Sequence, residues 1–564
     1  MEKPIKRPLW PTLLLAVVVG TVAFGITFGF TVLDPTRDNW LLYLYNDDLV
    51  QHYAGWCAFQ KSPWHFPLGL ADKMAYGTYI TYTDSIPLVA IVVKFLLELV
   101  GYTGTFQYFG LYALLCYILQ AFVTGLLVRR KTHALPLQGL AMVLFCFTPV
   151  LMDRTLRHTA LGSHWMILLA IYAFLRCRDN GFRRYPWLFY LLGFLAITIH
   201  PYFIPMTMIF ALITVVHAIV YRKRWLPALA YVALFAGNLV TCYYVGRGIG
   251  ALNDSFKIAR LGYGRFSMNL NSPINPTSAA GYDWSAFLPQ MPILINNTDG
   301  FTYLGLGVML LVLGCVVALV VRRQLVPFLK ANWFYLLAMV GMTLFALSNV
   351  LTLNDRILFT IPLPESIVYL CGIFRASSRM FYTVIYSLMV WSVSYLCGAL
   401  EGYRRQSGWR SRPVIALTAV FAAVVVLQLF DIHGGITGLH RHMDEQLNST
   451  SLADNAELQQ KLSEYDILAW DPNHEVGELR AMVLCAIKND MVSLYSVANT
   501  GIYPYEQANA ENTRKWEALE QGQTSPDTAY VTTDAETAQR LAGLNPTAEL
   551  MQVENFYLLF PQKS

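Results

Sequence analysis

The stretch Tyr45–Trp56, YNDDLVQHYAGW, sets two adjacent carboxylates, a glutamine and a histidine just past a long apolar run. Read as a helix, it puts Asp48 and His52 at i and i+4, on a face that Trp56 and Phe59 continue. A carboxylate beside an imidazole is a pairing fit for a general base, the histidine tuning or orienting the group that takes the proton. Asp47 lies on the neighbouring face with Gln51, and carboxylates in a helix's first turn also have a plain structural use against the dipole. Asp48 is therefore the first choice of base. Asp47 is the second choice, or a metal or water ligand. His52 orients the carboxylate or meets an acceptor.

Cations that could face such a base follow along the chain. DRTLRHTALGSHW clusters Arg154, Arg157, His158 and His164, and CGIFRASSRMFY places Arg375 and Arg379 one turn apart. Arginine matches phosphate oxygens in a bidentate fork, so Arg154, Arg157, His158, Arg375 and Arg379 are the candidate donor-phosphate residues. Their structural alternatives are pairing with Asp153 and snorkelling to headgroups. His164, Asp84 at the end of the extended YGTYITYTD, and Tyr263 and Arg265 of LGYGRF are candidate substrate contacts, and IHPYF brings His200 and Tyr202 to the same side. The chemistry this set serves is attack of an acceptor hydroxyl on a sugar's anomeric carbon while a lipid phosphate leaves. A divalent cation, Mg or Mn, stays open as a cofactor. Asp47, Asp48 and His52 on one short segment make an incomplete metal site.

The elements that must position these groups are membrane spans. Of 564 residues 55% are hydrophobic and only 14% charged, against about 25% charge in a soluble domain. Apolar runs near the ~20 residues of a span occur at 11–33, 106–128, 134–151, 163–177, 187–201, 203–220, 226–245, 302–321, 333–349, 380–400 and 413–431, eleven in all. The loops VRRKTH, RCRDNGFRR, YRKRW, VRRQLVPFLK and EGYRRQSGWRSR then fall on one side, the cytoplasmic one, provided that 84–101 does not cross. That segment carries Lys94 and Glu98 and reads as an interfacial or re-entrant helix capped by Asp84. The outer loops become 34–105, 246–301 and 350–379, where the candidate chemistry gathers.

Residues 432–564 hold 19 Asp/Glu against 8 Lys/Arg, a net of −11, whereas 1–431 carry +16, so a domain boundary is expected near Asp431. The acidic part alternates helical patterns (LADNAELQQKLSEY, DAETAQRLAGL) with strand patterns (YDILAWD, MVSLYSV, TAYVTT, FYLLFPQ), the signature of a small accessory α/β domain outside the membrane. The nine cysteines show neither ligand spacing nor a disulfide framework.

The chain resembles the GT-C superfamily of membrane glycosyltransferases. The stretches DLVQHYAGWCAFQKSPWHFPLG, YTDSIPLVAIVVK, LRHTALGSHW, GYGRFSMNLNSPINP and FRASSRMFY look like those of an uncharacterised bacterial family grouped with it. The resemblance implies a mainly α, polytopic helical domain of GT-C type with a small α/β extracytoplasmic domain after it. Its acidic motif maps onto Asp47 and Asp48. It also implies a polyprenyl-phosphate-sugar donor and a glycan, lipid or protein acceptor, in the bacterial inner membrane with a cytoplasmic amino terminus. Membrane lipids are the surrounding partner and no nucleic acid is expected. The alternatives are a transporter or flippase of lipid-linked sugars, or a non-catalytic polysaccharide-assembly protein. No clear internal repeat is visible and the charges gather in loops, which favours the enzyme.

Overall fold

The computed structural model describes residues 8–41, 48–180, 185–221, 223, 225–252, 263–297, 299–449, 452–473, 479–498 and 505–563. The membrane part runs α1 (Trp10–Phe28), α2 (Asp48–Lys61), a two-residue hairpin of β1 (Leu70–Ala71) and β2 (Thr78–Tyr79), α3 (Pro87–Leu99), α4 (Phe109–Arg129), α5 (Leu135–Cys146), α6 (Pro149–Arg157), α7 (Trp165–Asn180), α8 (Pro186–Ile199), α9 (Phe203–Val220) and α10 (Trp225–Gly248). It continues with α11 (Leu306–Val321), α12 (Leu325–Leu347), the hairpin β3 (Val350–Leu353) and β4 (Arg356–Thr360), α13 (Glu365–Cys371), α14 (Tyr382–Ser407) and α15 (Arg412–Asp431). Ten of the eleven expected runs fall on one helix each, and 134–151 is divided between α5 and α6. Among the described residues, eight helices are long and apolar enough to cross a bilayer, or nine if α5 and α6, bent by 56°, form one broken span. α8 and α11 are apolar but shorter. The chain is a membrane protein.

Proline in the first turn starts several of these helices, where its missing N–H costs nothing. Close packing then needs small residues. At Gly20 of α1 a Cβ would stand 2.7 Å from the Ile118 Cα of α4, so this pair of helices crosses backbone on backbone.

α3 is not among the span candidates, and its charged residues explain its place. Lys94 is fully buried and donates to the carbonyls of Phe59 (2.9 Å) and Ser62 (2.6 Å), the C-terminal end of α2, under the rings of Phe59 and Trp64. It supplies the donor that a helix's last carbonyls lack and complements the negative end of the dipole. The expected cap by Asp84 is corrected: the residue before α3 is Ile86, with no side-chain cap. Asp84 and Ile86 are both left-handed, at φ 54° and 51°, and this strained turn aims Asp84 elsewhere.

After α16 (His433–Leu447) and α17 (Ala456–Leu462), β5 (Ile467–Trp470), α18 (Arg480–Lys488), β6 (Val492–Ser493), α19 (Glu506–Glu520), β7 (Thr528–Thr532), α20 (Ala535–Leu544), β8 (Glu549–Val553) and β9 (Phe556–Phe560) form a five-stranded sheet flanked by helices. Its order is β6-β5-β7-β9-β8, with β5 parallel to β6 and β7, and β9 antiparallel to β7 and β8. The sequence patterns did not disclose α18, α19 or β8. This region docks on the first outer loop. Met74 bridges Ser493, Ala75 N–H donates to the Ser493 carbonyl (2.7 Å), and Lys488 pairs with Asp38 at 2.5 Å.

Candidate active site

Asp48 stands in the first described turn of α2. His158, just after α6, brings Nε2 to 3.2 Å from Asp48 Oδ2. Arg480, the first residue of α18, brings Nη1 to 3.5 Å from Oδ1. The base candidate thus has partners from two distant parts of the chain.

Gly55 positions the second carboxylate. A Cβ there would lie 2.0 Å from Thr83 Oγ1, so only glycine admits the 83–85 turn against α2, where Ser85 Oγ donates to the His52 carbonyl at 2.7 Å. Asp84 between them faces two imidazoles. His200 Nδ1 accepts from the Tyr202 N–H at 3.3 Å, which leaves Nε2–H to point at Asp84 Oδ1, 3.4 Å away. His52 Nε2 lies 3.9 Å from Oδ2. Burial raises the Asp84 carboxyl, but the His200 hydrogen bond and the charges of His200, His52 and Arg379 outweigh it and hold it at about 2. Burial pushes His158 well below the usual imidazole range, aided by Arg379, Arg154 and Arg157, and burial lowers His52 too, against the pull of Asp84 and Asp48. Both imidazoles therefore favour the neutral form near pH 7.

A third carboxylate, Asp299, organises the arginines. Arg154 pairs with it at 2.5 Å and donates to its carbonyl and to Tyr382 OH, while Arg379 Nε donates to its other oxygen at 3.0 Å. Arg379 also lies over the Tyr202 ring at 4.9 Å, Arg157 binds Asp153 at 3.1 Å, and Arg375 lies over Phe266 at 5.5 Å. Burial raises Asp299, yet the two guanidiniums keep it below the carboxylate range.

These groups share one cavity of about 630 Å³. Asp48, Asp84, Asp299, Arg157, His158, His200, Arg375 and Arg379 make its polar wall; Ile197, Ile204, Leu239, Tyr243, Leu252 and Phe374 make the apolar one. Leu239, Tyr243 and Leu252 are also exposed at the outer surface, so the apolar wall runs out to where lipid would lie. Among the described residues no three His, Cys, Asp or Glu side chains are placed to hold a metal ion.

Residues 17–433 match the family described as Domain of unknown function (DUF6311). The chain belongs to that family. No curated protein matches it. A crystal structure of the Archaeoglobus fulgidus oligosaccharyltransferase, tethered through a disulfide bond to an acceptor peptide containing the NVT sequon, aligns with a TM-score of 0.40 and 11% identity, covering 95% of this chain and 71% of that one.

Of the residues singled out in the sequence, the structure brings Asp48, Asp84, Arg157, His158, Arg375 and Arg379 to the cavity. Asp47 lies outside the described residues. His52 meets Asp84 instead of Asp48, and both its nitrogens are buried without a hydrogen bond. Arg154 sits behind the wall, committed to Asp299, and His164 is buried in the bundle against Tyr386 OH at 2.8 Å. Tyr263 packs on Phe345, and Arg265 is exposed and away from the cavity, where the neighbouring Phe266 stands in their place. Sequence reading missed Asp299 and Arg480. Neither sits in a local motif, although an acidic residue flanked by Thr298 and Gly300 in an outer loop was a usable signal for the first.

Proposed function

We propose that this membrane protein is a glycosyltransferase that moves a sugar from a polyprenyl-phosphate donor to an envelope glycan, lipid or protein acceptor on the non-cytoplasmic side, with inversion. The observation that carries this reading is the two-sided cavity: carboxylates, imidazoles and arginines on one wall, and an apolar wall continuing to the lipid-facing surface. A soluble donor would have no use for that second wall, whereas a prenyl chain can lie along it while its phosphate meets the polar side.

In this reading Asp48 takes the proton from the acceptor hydroxyl, whose oxygen attacks the anomeric carbon from the face opposite the phosphate. The bond from that carbon to the phosphate oxygen breaks with its electron pair, and polyprenyl phosphate leaves. Arg157, Arg375 and Arg379 meet the charge that develops on the leaving group. His158 and Arg480 hold Asp48 in place. Asp84, gripped by His200, is placed to accept hydrogen bonds from sugar hydroxyls.

The test uses purified protein in lipid with a panel of polyprenyl-phosphate sugars, reading release of free polyprenyl phosphate. Asp48→Asn should lower turnover by about 10²–10⁴-fold, the usual contribution of a general base, with an unchanged melting curve. A wild type that consumes no donor of the panel, or a fully active Asp48→Asn, refutes the reading. A transporter or assembly protein would tolerate that isostere.

A further inference from the structure

A second cavity of about 720 Å³ lies at the other end of the same helices. α7 begins at Trp165, seven residues past His158, and carries Arg178 in its last turn, ~20 Å further along at ~1.5 Å per residue, and α14 begins at Tyr382 near Arg379 and lines the second cavity from Val384 to Tyr395. The gap exists because α12 stands off the bundle: only 11% of its apolar window is buried, although its far end is held, with Ser377 Oγ donating to the Ala346 carbonyl at 3.2 Å. Ile171, Leu175, Leu319, Phe328, Leu336 and Leu388 wall the gap, and Arg130, Lys131 and Arg178 stand at its basic end. Among the described residues, Asp179 pairs with both Arg130 and Arg178, so one carboxylate serves two of the three cations there.

An apolar gap of this size does not hold water well, and leaving it empty forfeits the dispersion contacts of every wall residue. Leu329, Trp333, Leu337, Val340 and Leu344 are exposed on α12, so the bilayer's own chains surround the gap. Hydrocarbon tails suit its walls and a phosphate suits its basic end. Among the described lining residues there is no Asp, Glu or His, hence no carboxylate or imidazole to act as a base on an occupant. We propose that this gap is a binding site for an anionic glycerophospholipid of the surrounding bilayer, acting as a structural filler between α7, α12 and α14, and not a second substrate site.

The experiment is native mass spectrometry of the full-length, delipidated protein titrated with palmitoyl-oleoyl phosphatidylglycerol and, in parallel, with the phosphatidylcholine of the same chains. Wild type should retain the anionic lipid about tenfold more tightly, and Lys131→Gln with Arg178→Gln should bring the ratio within about twofold. Leu388→Trp, which fills the gap without touching the cations, should abolish retention of both and serves where the charge variant fails to fold. Equal affinity for the two lipids in wild type, or undiminished retention in Leu388→Trp, overturns the proposal. So does displacement of phosphatidylglycerol by an equimolar long-chain prenyl phosphate, which would make the occupant a carrier lipid.

Discussion

A neutral imidazole and a guanidinium hold Asp48 from opposite oxygens, and each contact has a separable consequence. Arg480→Gln should lower kcat by about tenfold or more with little change in melting temperature, since it loosens a catalytic oxygen without opening the core. His158→Gln, which keeps a donor, should retain more activity than His158→Ala, measured side by side. The folded state keeps His158 and His52 below the ordinary imidazole value of 6.5, so stability is full above that value and falls as pH drops below it. Melting temperatures taken from about pH 7.5 to about pH 5 should therefore decline, with a shallower slope in His158→Gln. Asp84 acts lower on the scale. Its ionised form stabilises the fold above the ordinary 3.8, and that stabilisation is lost as pH falls toward about 2. His200→Ala should move this loss to higher pH in the same measurement.

At the scale of elements, α2 and α3 depend on one buried cation. Lys94→Met keeps the volume but leaves the carbonyls of Phe59 and Ser62 without their donor, so a loss of about 1–3 kcal/mol is expected, read as a lower denaturation midpoint. Apolar length was legible because it is written in contiguous residues, and so was the short helix within 84–101, which falls below the length of a span. Partnerships were less legible. Asp48 and His52 are one turn apart, but Asp48 reaches across to His158, whereas His52 is fully buried and reaches Asp84. Periodicity reports which residues share a face and is blind to what comes to meet that face. Asp299 and Arg480 escaped for that reason. Their partners lie eighty residues or more away along the chain, and no spacing rule spans such a distance.

For the whole molecule, the basic loops of one end and the site of the other predict sidedness. A cysteine at Arg410 should react with an impermeant thiol reagent only from the cytoplasmic face, and one at Glu517 only from outside; eight of the nine native cysteines are buried and give little background. Reversed labelling would invert the assigned orientation. The docking of the sheet region on the first outer loop, through Met74, Asp38 and their partners, carries a consequence for biosynthesis. Asp48 leaves the ribosome more than four hundred residues before Arg480, so the candidate site lacks this partner until the sheet region has been made and has docked. In the proposed reading, a chain terminated before Arg480 would be inert toward lipid-linked sugars, and the membrane would be spared an enzyme that is active while still half-built.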